Sequence, residues 1–114
     1  MAPLEHDQIF STVSHIPHLI AYNMVNLIAG KRNRDTLLEF AASGFKDFSR
    51  IAGSSPEVWK DISLANKTAI LNDLDLFVKE INKTASLIKN EDYIALEKYF
   101  EVASKIRKNW SKKN

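Results

Sequence analysis

Apolar positions recur at spacings of three and four along almost the whole of this 114-residue chain, and strand-like alternation never persists beyond a few residues. The pattern predicts an all-α fold. Phe10, Val13, Pro17, Ile20, Met24 and Leu27 form one stripe, which gives a first helix from about Glu5 to Ala29. Gly30 suits the position just past its last turn, and Lys31-Arg32-Asn33-Arg34 follows as a polar loop. Pro17 removes a backbone donor inside the pattern, so a kink is expected between His15 and His18, with backbone groups freed to face a ligand. Two short helices should follow, one from Asp35 as N-cap to Ala42 and one from Phe45 to Ala52. Ser43-Gly44 separates them and Gly53 ends the second.

The second half reads as a long helical hairpin. Ser54-Ser55-Pro56-Glu57 combines a serine cap, a proline in the first turn and a glutamate three residues after Ser54, as in a capping box. From there one helix is expected to continue to about Lys89, with Leu71, Leu74, Val78, Ile81, Ala85 and Ile88 forming a heptad seam. Asn90-Glu91-Asp92 ends that helix and caps the next, where Tyr93, Leu96, Phe100, Ala103 and Trp110 repeat the seam, interrupted by Arg107. So short a connection implies antiparallel helices. Ile62, Ile70 and Phe77 fall outside the seam. A helix apolar on more than one face is central or shared with a second subunit, so a homodimer formed through helices is expected.

Composition narrows the class. The length suits a single domain over residues 1–114, and 45% hydrophobic residues suit a globular one. The absence of cysteine excludes disulfides and thiolate metal sites. No stretch approaches the ~20 apolar residues of a membrane span. Met1-Ala2-Pro3-Leu4-Glu5 lacks the basic and apolar runs of a signal peptide, so no membrane role and a cytoplasmic location are expected. The net charge is +2, with five basic residues and no acid between Lys105 and Lys113. That run reads as a helix C-terminus whose cations offset the macrodipole, not as a nucleic-acid arm, because no nucleic-acid-binding fold accompanies it.

Candidate chemistry gathers in two places. All three histidines, His6, His15 and His18, lie in the first eighteen residues. His15 and His18 are one turn apart and project from one side of the helix, extended by Tyr22 and Asn26. His6 falls near the opposite face with only Asp7 beside it, so a shared metal is not expected. The pair is either structural or one wall of a polar pocket. The second place is Gly44-Phe45-Lys46-Asp47-Phe48-Ser49-Arg50-Ile51-Ala52. Asp47 and Arg50 are three apart, as a surface ion pair or as an arginine held ready for a carboxylate. Trp59 is a core aromatic or the wall of an aromatic-ligand site. No glycine-rich phosphate loop, cysteine nucleophile or serine elbow is present.

These strings together resemble the C-terminal domain of prephenate and arogenate dehydrogenases. The matching residues are His6-Asp7, Val13-Ser14-His15-Ile16-Pro17-His18-Leu19-Ile20-Ala21, Gly44 to Ala52, then Ser54, Pro56, Trp59, Asp61-Ile62 and Asn66. The resemblance implies an all-helical dimerisation domain that joins a nucleotide-binding Rossmann domain, with Met1 near the junction. It implies an enzyme that oxidatively decarboxylates prephenate to 4-hydroxyphenylpyruvate in tyrosine biosynthesis, using NAD or NADP. Hydride leaves the ring carbon bearing the hydroxyl, and a histidine of the other domain takes the proton. This chain would then hold no catalytic or cofactor-binding residue and would be inactive alone. By the same resemblance Arg50 binds a substrate carboxylate, and His15 and His18 line the pocket for prephenate, arogenate or inhibiting tyrosine. Asp47 belongs to a gating ionic network and Trp59 stands near the partner subunit's site. Ser14 and Gly44 belong to the substrate-binding set, and His6 and Asp7 are structural or junction residues. Ala41-Ala42-Ser43-Gly44 departs from the family's glycine-rich run and implies a stiffer loop. A second reading is a free-standing, non-catalytic dimeric module that binds tyrosine or a related aromatic acid.

Overall fold

The computed structural model describes residues 1–113, and every regular element among them is helical. In chain order these are α1 (Pro3–Phe10), a π-helical turn (Ser11–His15), α2 (Ile16–Ala29), α3 (Arg34–Glu39) and α4 (Ser43–Ser49). A 3-10 turn (Arg50–Gly53), α5 (Pro56–Ala65), α6 (Lys67–Lys89) and α7 (Tyr93–Lys113) complete the chain. The described residues group into two compact units, residues 1–74 and residues 75 onward. No helix among them is long and apolar enough to cross a membrane.

In the first unit α2 is the central element, packed against the 3-10 turn, α4 and α3. The buried side chains are few: Ile16 and Ala21 on α2, Ile70 on α6, and Ser11. The predicted first helix is present, but its irregularity lies upstream of Pro17. The widened turn spans Ser11–His15, and the Ile16 N–H reaches five residues back to the Ser11 carbonyl. Pro17 has no N–H, so one hydrogen bond must be lost at this level of the helix. The wide turn absorbs that loss before the proline and leaves Pro17 in the first turn of α2, where a missing N–H costs little. The turn is secured from outside. Asp73 accepts 2.8 Å hydrogen bonds from the hydroxyls of both Ser11 and Thr12 on one carboxylate oxygen. Ser11 is fully buried, so its hydroxyl depends on that carboxylate.

Other boundaries also shift. α3 starts two residues earlier than expected, with Asn33 and not Asp35 at its N-cap position, and ends at Glu39, and Ser43-Gly44 opens α4 instead of separating two helices. The cap of α5 is Ser55, whose hydroxyl accepts from the Val58 N–H at 3.3 Å, and Ser54 instead donates to the Ile51 carbonyl at 2.7 Å. The single long helix expected from Ser54 to Lys89 is interrupted at Asn66 (φ −112°, ψ 34°), between α5 and α6.

The second unit is the antiparallel hairpin that α6, from Asp75 onward, forms with α7. Glu91 takes the left-handed conformation (φ 51°). The Asp92 N–H bonds to Leu87 O and the Glu91 N–H to Ile88 O, the pattern of a Schellman stop. Asp92 then caps α7 through the Ala95 N–H. Across the hairpin the Tyr99 hydroxyl donates to Glu80 at 2.6 Å and holds that carboxyl below its usual range, helped by Lys83. The partly covered positions are Phe77, Thr84 and Leu87 on α6 and Ala95, Leu96 and Tyr99 on α7. Of the predicted α6 seam Leu74 is partly covered, whereas Leu71, Val78, Ile81 and Ile88 remain more than half exposed, one position away from the row that α7 covers. Of the predicted α7 seam only Leu96 is covered, and Tyr93, Phe100 and Trp110 are exposed, with the Arg107 guanidinium over the Trp110 ring at 4.6 Å. No described residue of this unit is buried.

Two stability predictions follow from these contacts. Asp73→Ala strands a buried hydroxyl and should destabilise the chain by about 1–3 kcal/mol in denaturant unfolding, and much less in a Ser11→Ala, Thr12→Ala background. Glu91→Gly relieves a left-handed non-glycine residue and should stabilise by about 0.5–1 kcal/mol, read as a higher melting temperature.

Candidate substrate-facing site

The functional side chains that meet in the first unit come from α2, α5 and the break before α6. His18 lies on Trp59, the ring centroids 4.0 Å apart and the planes 17° from parallel. His15 approaches the same indole edge-on at 6.0 Å. The three-residue spacing puts both imidazoles on one side of the helix. Trp59 enters from the first turn of α5, whose start is fixed by Ser55 and Pro56. The Tyr22 hydroxyl donates to the Ser54 carbonyl at 2.9 Å and ties α2 to the residues just before α5.

Each imidazole has a defined partner. His18 Nδ1 stands 2.8 Å from the Ser14 carbonyl, so the backbone at this bend is occupied by the histidine and is not free for a ligand as expected. His15 Nδ1 stands 3.2 Å from the side-chain nitrogen of Asn66, and that nitrogen also donates to the Asp7 carbonyl at 2.8 Å. Asn66 therefore joins the start of the chain to the histidine pair. Burial pushes the His15 pKa below its ordinary 6.5, His18 and His6 push the same way, and Asp7 opposes them. His6 stacks on Phe10 at 4.5 Å and meets Asp7 at 3.3 Å on the surface, apart from the other two histidines. Among the described residues no three histidine or carboxylate groups lie close enough to share a metal ion.

Beside this cluster is an open pocket of about 400 Å³, lined by Trp59 together with Leu19, Tyr22, Asn26, Lys60 and Ser63. A larger hollow of about 660 Å³ lies along α1 and the start of α6. Neither hollow is lined by His15 or His18, but the smaller one is walled by Trp59, on which both histidines pack, whereas Asp73 and Asn66 in the larger one are already engaged in the hydrogen bonds above, so the smaller pocket is the better candidate.

The second predicted cluster is placed differently. Arg50 begins the 3-10 turn that packs on α2, and it is exposed. Asp47, on α4, is also exposed, and the two do not pair in the described residues. Gly44 sits in the first turn of α4, and a methyl group there would meet open space. Neither pocket is lined by Arg50, Asp47 or Gly44.

The family described as prephenate dehydrogenase, dimerization domain, matches residues 2–102. The chain belongs to this family. Among characterised relatives, the prephenate dehydrogenase of Bacillus subtilis (strain 168) is 42% identical over 108 residues, 94% of this chain. Among solved structures, Synechocystis arogenate dehydrogenase superposes with a TM-score of 0.89 over 96% of this chain at 25% identity. Prephenate dehydrogenase from A. aeolicus, solved with hydroxyphenyl propionate and NAD+, superposes at 0.87 over 94% at 36% identity. The chain spans 29% of the Bacillus protein and 41% and 38% of the two solved chains. The two superpositions account for the all-helical architecture.

Residues that sequence reasoning had not given a role are Asn66, Ser11, Thr12 and Asp73. Asn66 carried a signal, as part of the family string, but nothing in its spacing pointed to His15. The lowered His15 pKa yields a prediction with a definite sign. The unfolded imidazole binds more protons than the folded one between the folded midpoint and 6.5, so stability is full above 6.5 and is lost as pH falls through the folded midpoint. His15→Gln should flatten that part of the melting-temperature profile, and an NMR titration of the parent chain should place the His15 midpoint below 6.5.

Proposed function

We propose that this chain is the dimerisation and substrate-facing domain of a prephenate or arogenate dehydrogenase, acting in the cytoplasm as a homodimer. The observation that carries the reading is the His18–Trp59 stack beside an open pocket, in a chain whose family match runs from residue 2 to residue 102. A flat indole and two imidazoles suit a six-membered ring bearing polar groups. Arg50 is the cation for a ligand carboxylate, since it is exposed and not spent on Asp47. Ser14 contributes through its carbonyl, which orients His18. Asp47 and Gly44 flank Arg50 on α4 and keep their proposed place in the gating and approach of ligand.

The dinucleotide does not belong to these residues. The described chain has no βαβ unit, and none of its three glycines stands in a phosphate-binding loop. NAD or NADP would be held by a Rossmann domain outside the 114 residues, and hydride transfer would take place there. What this chain supplies is the helical dimer and one wall of the substrate cleft.

The exposed hairpin supports the dimer. Val78, Ile81, Ile88, Ile94, Val102 and Ile106 are apolar and largely uncovered in one chain. Burying such side chains is worth about 1.5–3 kcal/mol each, and a second copy supplies the matching surface.

Calorimetric titration with prephenate, arogenate and tyrosine tests the ligand reading. At least one should bind, and Arg50→Ala should weaken it about tenfold to a hundredfold, the worth of a charged hydrogen-bonded pair of about 1.5–3 kcal/mol. Heat from none of the three ligands would overturn it.

A further inference from the structure

Asn66 breaks the helix expected to run through it, and its side chain is spent entirely inside the first unit. The group that faces the Asp7 carbonyl must be the amide NH2, because a carbonyl only accepts. The same nitrogen faces His15 Nδ1, so its second hydrogen points at that ring atom and Nδ1 must accept. A neutral imidazole that accepts at Nδ1 carries its proton on Nε2. The opposite holds one turn later. His18 Nδ1 faces the Ser14 carbonyl, so Nδ1 must donate and Nε2 keeps a lone pair.

We propose that Asn66 is a positioning residue that sets the hydrogen-bonding polarity of the two-histidine wall. His15 is held with a donor Nε2–H, and His18, held by Ser14, offers an acceptor Nε2. A ligand matched to this wall brings an acceptor oxygen, such as a carboxylate or keto group, to His15. It brings a donor, such as a hydroxyl or ammonium group, to His18. This assignment rests on the proposed function for its ligand class, but the tautomers themselves do not. Three features support it. The break at Asn66 lies where its amide reaches both α1 and the π turn. A donor aimed at His15 Nδ1 favours the neutral ring, the same direction in which burial and then the neighbouring histidines push its pKa. Protonating His15 would put a hydrogen on Nδ1 against the amide hydrogen, and rotating the amide to relieve this would set its oxygen against the Asp7 carbonyl.

The test is a long-range proton–nitrogen correlation spectrum of histidine-labelled chain in mildly alkaline buffer without ligand. His15 should show a lone-pair Nδ1 and a protonated Nε2, and His18 the reverse. Asn66→Asp replaces the donor with an acceptor, so His15 should switch to a protonated Nδ1 and its titration midpoint should rise above 6.5. A merely structural asparagine would change the melting temperature and leave the His15 tautomer alone. Asn66→Ala, as the second variant, should raise the His15 midpoint toward 6.5 by removing the donor. A protonated Nδ1 on His15 in the parent chain, or a tautomer unmoved by Asn66→Asp, would overturn the proposal. If the aspartate variant does not fold, the parent spectrum and the alanine midpoint decide. Failure of the ligand titrations with these tautomers observed would count against the proposed function and not against the role of Asn66.

Discussion

A two-helix hairpin can cover only one stripe on each of its helices, and this limit shapes what the second unit can be. α6 and α7 spend Phe77, Thr84 and Leu87 against Ala95, Leu96 and Tyr99, with the Tyr99–Glu80 hydrogen bond as a polar tie. From Asp75 onward everything else apolar on those helices is left outside, including side chains as large as Phe100 and Trp110. A hairpin alone is marginal in water, and one that leaves no described residue buried is more so. In the proposed dimer a second copy of the same surface completes the core, so that dimer is part of the fold and not an addition to it.

The first unit solves a different problem. A histidine pair, a proline and a buried serine share one stretch of helix, and each disturbs regular backbone bonding. The π turn takes up the missing proline donor, Asp73 takes the serine hydroxyl, and Asn66 takes one imidazole. The proposed result is a wall of His15, His18 and Trp59 whose hydrogen-bonding directions are set within the chain. Preorganisation of this kind lowers the ordering cost of binding.

Much of this was legible in the amino-acid pattern. The helical class, the capped hairpin turn at Asn90-Glu91-Asp92 and the shared side of His15 and His18 all follow from spacing. The strings around His15 and Arg50 carry the resemblance to the family. Other features were hidden for physical reasons. The apolar rhythm continues across Asn66, so periodicity gave no sign of the break that its side-chain bonds accompany. Two adjacent serines could each cap α5, and only the backbone decides for Ser55. Pro17 announces a defect but not that the helix widens a turn earlier. The hairpin seam contains a threonine and a tyrosine, so a purely hydrophobic reading chose the neighbouring row. The three-residue spacing of Asp47 and Arg50 allows a pair but does not force one between two exposed side chains.

The central claim is that the exposed hairpin is half of an interface. Sedimentation equilibrium of the chain over a wide concentration range tests it most directly. The account predicts a species of twice the 13.0 kDa chain mass that persists on dilution and falls to one chain when Val78 and Ile81 are both replaced by aspartate. A stable, folded 13.0 kDa monomer at all concentrations would contradict it.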